Sequence, residues 1–201
     1  MIDNGQQTEY KTLSVFIVIC QSMPEILLGV TGGIAAYKSA TIVSRLVQKG
    51  YALTVVMTES ATKLIAPKTF EALSRRPVRS SVFDDDAAHL HIDLARQADI
   101  FCIAPATANI LAKAAHGIAD DLVSTLLLSF EGKILFAPAM NCVMWNKPAV
   151  QRNVKQLRDD GMLFIGPESG HLSCGETGTG RMSEPETIVA EIVQQITAER
   201  Q

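Results

Sequence analysis

No G-x-G-x-x-G and no G-x-x-x-x-G-K-S/T occurs in this sequence, so it carries neither the dinucleotide fingerprint nor a nucleotide P-loop. Cysteine is scarce, and Cys20, Cys102, Cys142 and Cys174 show neither a C-x-x-C pair nor metal-ligand spacing. No metal site is expected, and the thiols point to a reducing, cytoplasmic setting. The 18 lysines and arginines are scattered rather than clustered, and the net charge is −3. There is no basic field for a polyanion, so nucleic acid is not an expected partner. No apolar run reaches the roughly 20 residues needed to span a bilayer, so no membrane association is expected. What remains is a chain of 201 residues, 47% hydrophobic and 19% charged, enough for one soluble domain with a full-sized core.

Residues 1–22 stand apart. Ser14-Val-Phe-Ile-Val-Ile-Cys20 is apolar but is preceded by one lysine and followed by Gln21 and Ser22, a poor match to a signal peptide. The pattern that fits the rest of the chain begins after Met23, so 1–22 is read as a dispensable N-terminal arm and 23–201 as one domain. From Pro24 on, short apolar runs alternate with longer amphipathic ones. Strands are predicted at Ile26–Val30, Leu53–Met57, Ile100–Ala104, Ile134–Ala137 and Leu163–Ile165. Helices are predicted at Ala35–Gln48, Ser60–Leu73, Leu90–Gln97, Thr107–Ala115, Asp121–Leu128, Pro148–Asp159 and Glu184–Thr197. The fold class is α/β: a doubly wound, Rossmann-like or flavodoxin-like, mainly parallel sheet with helices on both faces. Ligands are then expected beyond the carboxyl ends of the strands.

The residues after the strands suit that expectation. Thr31-Gly-Gly-Ile-Ala-Ala-Tyr-Lys38 puts two glycines before a helix start, where free amides and the dipole favour a phosphate. Thr58-Glu-Ser60 offers hydroxyls that can cap a helix or reach the same phosphate. Pro105-Ala-Thr-Ala-Asn109 offers a cap at Thr107 and an amide at Asn109, and Pro138-Ala-Met-Asn-Cys-Val-Met-Trp145 places an amide and an aromatic after the fourth strand. Each of these taken alone is also an ordinary turn or cap; four successive strand ends of this kind point to a binding site. Gly166 to Gly180 holds five glycines in fifteen residues, the composition of a mobile linker or of a lid, and 166–183 is read as a substrate lid.

Five ordered motifs complete the picture: the glycine turn above, His91-Ile-Asp-Leu-Ala95, Ala104-Pro-Ala-Thr-Ala-Asn109, Pro138-Ala-Met-Asn-x-x-Met-Trp145 and Cys174-Gly-x-x-Gly-x-Gly-Arg-Met182. On these, residues 24–195 resemble the homo-oligomeric flavin-containing cysteine decarboxylases, and within them the bacterial phosphopantothenoylcysteine decarboxylases. The resemblance implies FMN, held at Gly33, Ile34, Ser39, Thr58, Ser60, Ala106, Thr107 and Asn109. It implies oxidation of a cysteinyl thiol to a thioaldehyde, loss of CO₂ into that electron sink, and reduction of the enethiol to give 4′-phosphopantetheine in coenzyme A biosynthesis.

By the same resemblance His91 is the base, Asn141 holds the substrate carboxylate and Cys174 donates a proton. Substrate contacts fall to Asn141, Met140, Met144, Asp120, Gly175, Arg181 and Met182. A lone helical histidine is more often solvated than catalytic, and an asparagine at a strand end is usually a turn residue; the flanking motifs reverse both. His89, His116 and His171 match no family motif as catalytic residues. Asp120 departs from the asparagine of several relatives, and a carboxylate cannot donate as an amide can.

The implied partners are 4′-phosphopantothenoylcysteine as substrate, further copies of the chain in trimers or dodecamers, and a separate phosphopantothenate–cysteine ligase. His91 and Asn141 are expected to meet from different chains. Three alternatives stay open: a peptidyl-cysteine decarboxylase of the lantibiotic type, a flavin prenyltransferase and a non-catalytic regulatory flavoprotein subunit. The lid motif, the Pro-x-Met-Asn motif and the intact trio His91, Asn141 and Cys174, respectively, weigh against them.

Overall fold

A computed structural model describes residues 23–83, 89–173 and 175–199; the N-terminal arm and Cys174 lie outside the described residues. Five parallel strands form the sheet: β1 (Glu25–Val30), β2 (Ala52–Met57), β3 (Ile100–Ala106), β4 (Lys133–Pro138) and β5 (Leu163–Phe164), in the order β2-β1-β3-β4-β5. This is the flavodoxin-like order, and it reverses direction between β1 and β3.

The strands are apolar at successive positions because both faces are covered. Ile26, Leu28 and Val30 of β1 and Ile100, Cys102 and Ala104 of β3 join one core. Leu27, Phe101 and Ile103 alternate with them into the other. The first core is roofed by α1 (Ala36–Gln48), α3 (Pro67–Ser74) and α9 (Pro185–Glu199). The second is roofed by α4 (Leu90–Gln97), α5 (Ala108–His116), α6 (Leu122–Ser129) and α8 (Pro148–Asp159). Phe101 and Phe130 meet edge to face, with ring centroids 5.9 Å apart. Among the described residues no helix is long and apolar enough to cross a membrane.

Two local readings change. The helix predicted over Ser60–Leu73 is two helices, α2 (Glu59–Thr62) and α3, because Pro67 opens α3 and disfavours a helical conformation at the residue before it. The glycine-rich segment, where no strand was predicted, contains an antiparallel pair, β6 (Glu168–His171) and β7 (Thr177–Arg181). A short helix, α7 (Cys142–Trp145), also follows β4.

Candidate functional site

The ends of four strands open onto one cavity of about 1040 Å³. Its wall takes Thr31 to Ala35 after β1, Thr58 to Ser60 after β2, Thr107 to Ile110 after β3 and Ala139 to Asn141 after β4. The β6–β7 pair adds His171, Gly180 and Arg181. Topology alone brings the four strand-end segments together, since they are carboxyl ends of parallel strands near the reversal of strand order.

Helix starts supply polar groups to this wall. Ala35 is the N-cap of α1 and supplies no side-chain cap. The N–H groups of Ile34 and Ala35 make no backbone hydrogen bond among the described residues. Orphan amides with the positive end of a 13-residue helix behind them suit a phosphate. Gly32 is required by packing: a Cβ there would lie 2.4 Å from the Cβ of Ser60, so only glycine lets the β1 turn lie against α2. Thr58 and Thr107 each line the cavity while capping a helix, their hydroxyls accepting from Ala61 N at 3.3 Å and Ile110 N at 3.4 Å. Apolar surface is supplied by the exposed side chains of Ile34 and Tyr37.

The cations on the described wall are all paired. Lys38 meets Glu184 at 3.0 Å, and Arg181 meets Glu168 at 3.0 Å. Lys113 stands between Asp120 at 2.5 Å and Asp121 at 2.6 Å. Burial alone would lower the pKa of Lys113, but the two carboxylates outweigh it and hold the ammonium above its usual range. The same contact holds Asp120 below the usual carboxylate range. Arg181 also carries a buried Nε with no hydrogen-bond partner among the described residues, an orphaned donor on a residue of the cavity wall. Among the described residues no group of three or more His, Cys, Asp or Glu could hold a metal ion.

The Pro138–Trp145 motif is held by the hairpin. Met140 N donates to Gly180 O at 2.9 Å, and a Cβ at Gly180 would stand 2.2 Å from Met140 O. The glycines of β7 therefore permit backbone contact, an ordered role alongside any mobility. Asn141 caps α7, its Oδ1 accepting from Val143 N at 2.7 Å, and its Nδ2 donates to Glu176 Oε2 at 2.6 Å.

Most of the expected site residues meet on this wall. Gly33, Ile34, Thr58, Ser60, Thr107 and Asn109 line it, as do Asp120, Met140, Asn141, Met144, Arg181 and Met182. Four do not. Ser39 is fully buried and its hydroxyl donates to Ala104 O at 2.6 Å, a link between α1 and β3. The side chain of Ala106 is buried in the second core, and its carbonyl accepts from Ala139 N at 3.0 Å, which removes it from the cavity wall. Gly175 is exposed and His91 half-buried on α4, and neither lines the cavity of the single chain. His171, Lys38, Lys113 and Glu184 line it without having been singled out as site residues.

The Bacillus subtilis coenzyme A biosynthesis bifunctional protein CoaBC is 48% identical over 166 residues, 82% of this chain and 41% of that protein. The chain thus spans about two fifths of the length of the curated relatives it matches. Among solved structures, the FMN-dependent cysteine decarboxylase SpaF superposes with a TM-score of 0.74 at 35% identity, covering 86% of this chain and 97% of that one. A PPC decarboxylase mutant complexed with pantothenoylaminoethenethiol superposes with a TM-score of 0.76 at 28% identity, again covering 86% and 97%. A family model described as Flavoprotein matches residues 20–197. The motifs, the strand order and the cavity at the strand ends agree with that match, and the chain belongs to the Flavoprotein family.

Proposed function

We propose that this chain catalyses the FMN-dependent decarboxylation of 4′-phospho-N-pantothenoylcysteine to 4′-phosphopantetheine. The observation that carries the reading is the sharing of one cavity wall by the uncapped start of α1 and the side-chain amide of Asn141. The residues present fit the cofactor: the amides at Ile34 and Ala35 suit its phosphate, and Thr58, Thr107 and Asn109 offer hydroxyl and amide groups to its ring. When bound, FMN supplies the two-electron oxidation of the cysteinyl thiol and the later return of those electrons.

The chain's own groups do the rest. Asn141 orients the substrate carboxylate through a neutral donor, which fixes its direction without the strong charge pairing that would oppose loss of CO₂. The thioaldehyde places the leaving carboxylate beta to C=S, and the bonding electrons delocalise toward sulfur. His91 exchanges the thiol-side proton, and Cys174 supplies the proton taken up as the enethiol is reduced.

His91 stands off the cavity wall of its own chain, which supports a site completed by a neighbouring copy in a trimer or dodecamer. The substrate would come from a ligase joining cysteine to phosphopantothenate, and the reaction belongs in the cytoplasm. The relatives' name, coenzyme A biosynthesis bifunctional protein, and the likeness to a PPC decarboxylase support the place of the reaction in coenzyme A synthesis.

The test combines an absorbance spectrum of the purified protein with mass spectrometry after incubation with 4′-phosphopantothenoylcysteine. Flavin absorbance and a product lighter by one CO₂ are expected. A colourless protein that does not take up FMN, or a flavoprotein that leaves this substrate intact, would end the reading. In light scattering a fully active monomer would end the shared-site part alone.

A further inference from the structure

The Asn141 amide is gripped at both ends. Its oxygen accepts from Val143 N at 2.7 Å, and its nitrogen donates to Glu176 Oε2 at 2.6 Å. The terminal torsion of an asparagine is soft, so the cap alone leaves the amide plane loosely defined. The second contact, a short bond to the Glu176 carboxyl group, removes that freedom.

Glu176 is exposed and does not line the cavity, whereas Asn141 does. The carboxylate therefore stands outside the wall and does not occupy the substrate's space. Its own place is set by backbone contacts. Leu172 N donates to Glu176 O at 2.8 Å, and β7 is laid against Met140 and Cys142 by the close approaches at Gly180 and Gly178. Cys142 Sγ donates to the same Oε2 at 3.5 Å. Burial and the neighbouring Glu176 both push that thiol's pKa up, which keeps it a protonated donor.

We propose that Glu176 is a positioning residue: from the hairpin it sets the direction in which Asn141 presents its amide to the substrate carboxylate. This rests on the decarboxylase reading above. The alternative arrangement, a carboxylate competing with the substrate for the amide, predicts the opposite kinetic sign.

The test compares the FMN-loaded wild type with Glu176→Ala and Glu176→Gln. It uses steady-state turnover of 4′-phosphopantothenoylcysteine together with crystal structures of the unliganded proteins. Glu176→Ala is expected to lose about tenfold or more in kcat/KM, the scale of one charge-assisted hydrogen bond. Glu176→Gln, which keeps an acceptor, is expected to recover to within about threefold of wild type. The flavin spectrum is unchanged in both. In the crystal the Asn141 amide rotates away or loses order in Glu176→Ala and keeps its place in Glu176→Gln.

Wild-type kinetics in Glu176→Ala, a lower KM in that variant, or equal damage in both variants would overturn the proposal. So would an Asn141 amide that keeps its orientation without Glu176. Should the wild type itself fail to turn over the substrate, the decarboxylase reading falls, and the Asn141 orientation in Glu176→Ala still decides whether Glu176 positions it.

Discussion

Thr31 and Thr107 meet where the sheet reverses its strand order. The Thr31 hydroxyl donates to Pro105 O at 2.6 Å, accepts from Thr107 N at 3.2 Å and stands 3.3 Å from the Thr107 hydroxyl. Thr31 is buried, so one side chain satisfies two backbone groups between the ends of β1 and β3. Thr31→Val keeps the shape and orphans both. It is expected to lower stability by about 1–3 kcal/mol and to weaken cofactor retention, while Thr31→Ser stays near wild type. Urea denaturation with the flavin spectrum decides, and equal stability of the valine and serine variants would refute the role.

Gly180 faces a harder constraint, since its missing Cβ would stand 2.2 Å from a main-chain oxygen, Met140 O, that no rotamer change can move aside. Gly180→Ala is expected to cost about 1–3 kcal/mol and to displace the hairpin from the Asn141 segment. Turnover should drop further than stability does. A variant with native thermal stability and native activity would show that β7 can shift freely.

Asp121 serves two masters at the start of α6. Its Oδ1 accepts from Ser124 N at 2.8 Å and its Oδ2 from Lys113 at 2.6 Å. Asp121→Ala should cost about 0.5–2 kcal/mol through the lost cap alone. Asp121→Asn keeps the cap acceptor and is expected to fall between alanine and wild type in urea denaturation. An alanine variant as stable as the wild type would contradict the capping account.

Glu168 gives the molecule an acid-side signature. Burial alone would raise its pKa, but hydrogen bonds from Arg181 and Ser183 and the guanidinium charge hold it below the ordinary 4.5. A depressed carboxylate contributes stability that is present above the unfolded value and is lost as pH falls through the folded one. Stability should therefore hold down to about pH 4.5 and then decline, with a shallower decline in Glu168→Gln. Identical slopes for the two proteins in denaturation series at falling pH would remove Glu168 from the account.

The parts of this molecule that depend on local period were legible in the sequence, and those that depend on contact at a distance were not. The apolar runs marked all five strands, and the boundaries of Leu90–Gln97 and Pro148–Asp159 match the helices observed. Thr107 and Asp121 appeared as helix starts because capping is local chemistry. The β6–β7 pair escaped because Thr177-Gly-Thr-Gly-Arg181 has no apolar alternation and owes its place to backbone packing against Met140 and Cys142. The burial of Ser39 was readable: it lies on the stripe Ala36, Ser39, Ile42, Val43, Leu46 that α1 buries, beside the glycine turn. The Glu176–Asn141 bond joins residues 35 apart, and nothing in either neighbourhood announces it.

The bare start of α1 has a consequence for how the protein matures. An anion bound there would satisfy the free amides of the helix's first turn, and its binding would then be linked to the stability of that turn. Chains emptied during purification would then be softer at residues 34–37 than loaded ones, and exchange of their amide hydrogens would report occupancy as directly as colour does.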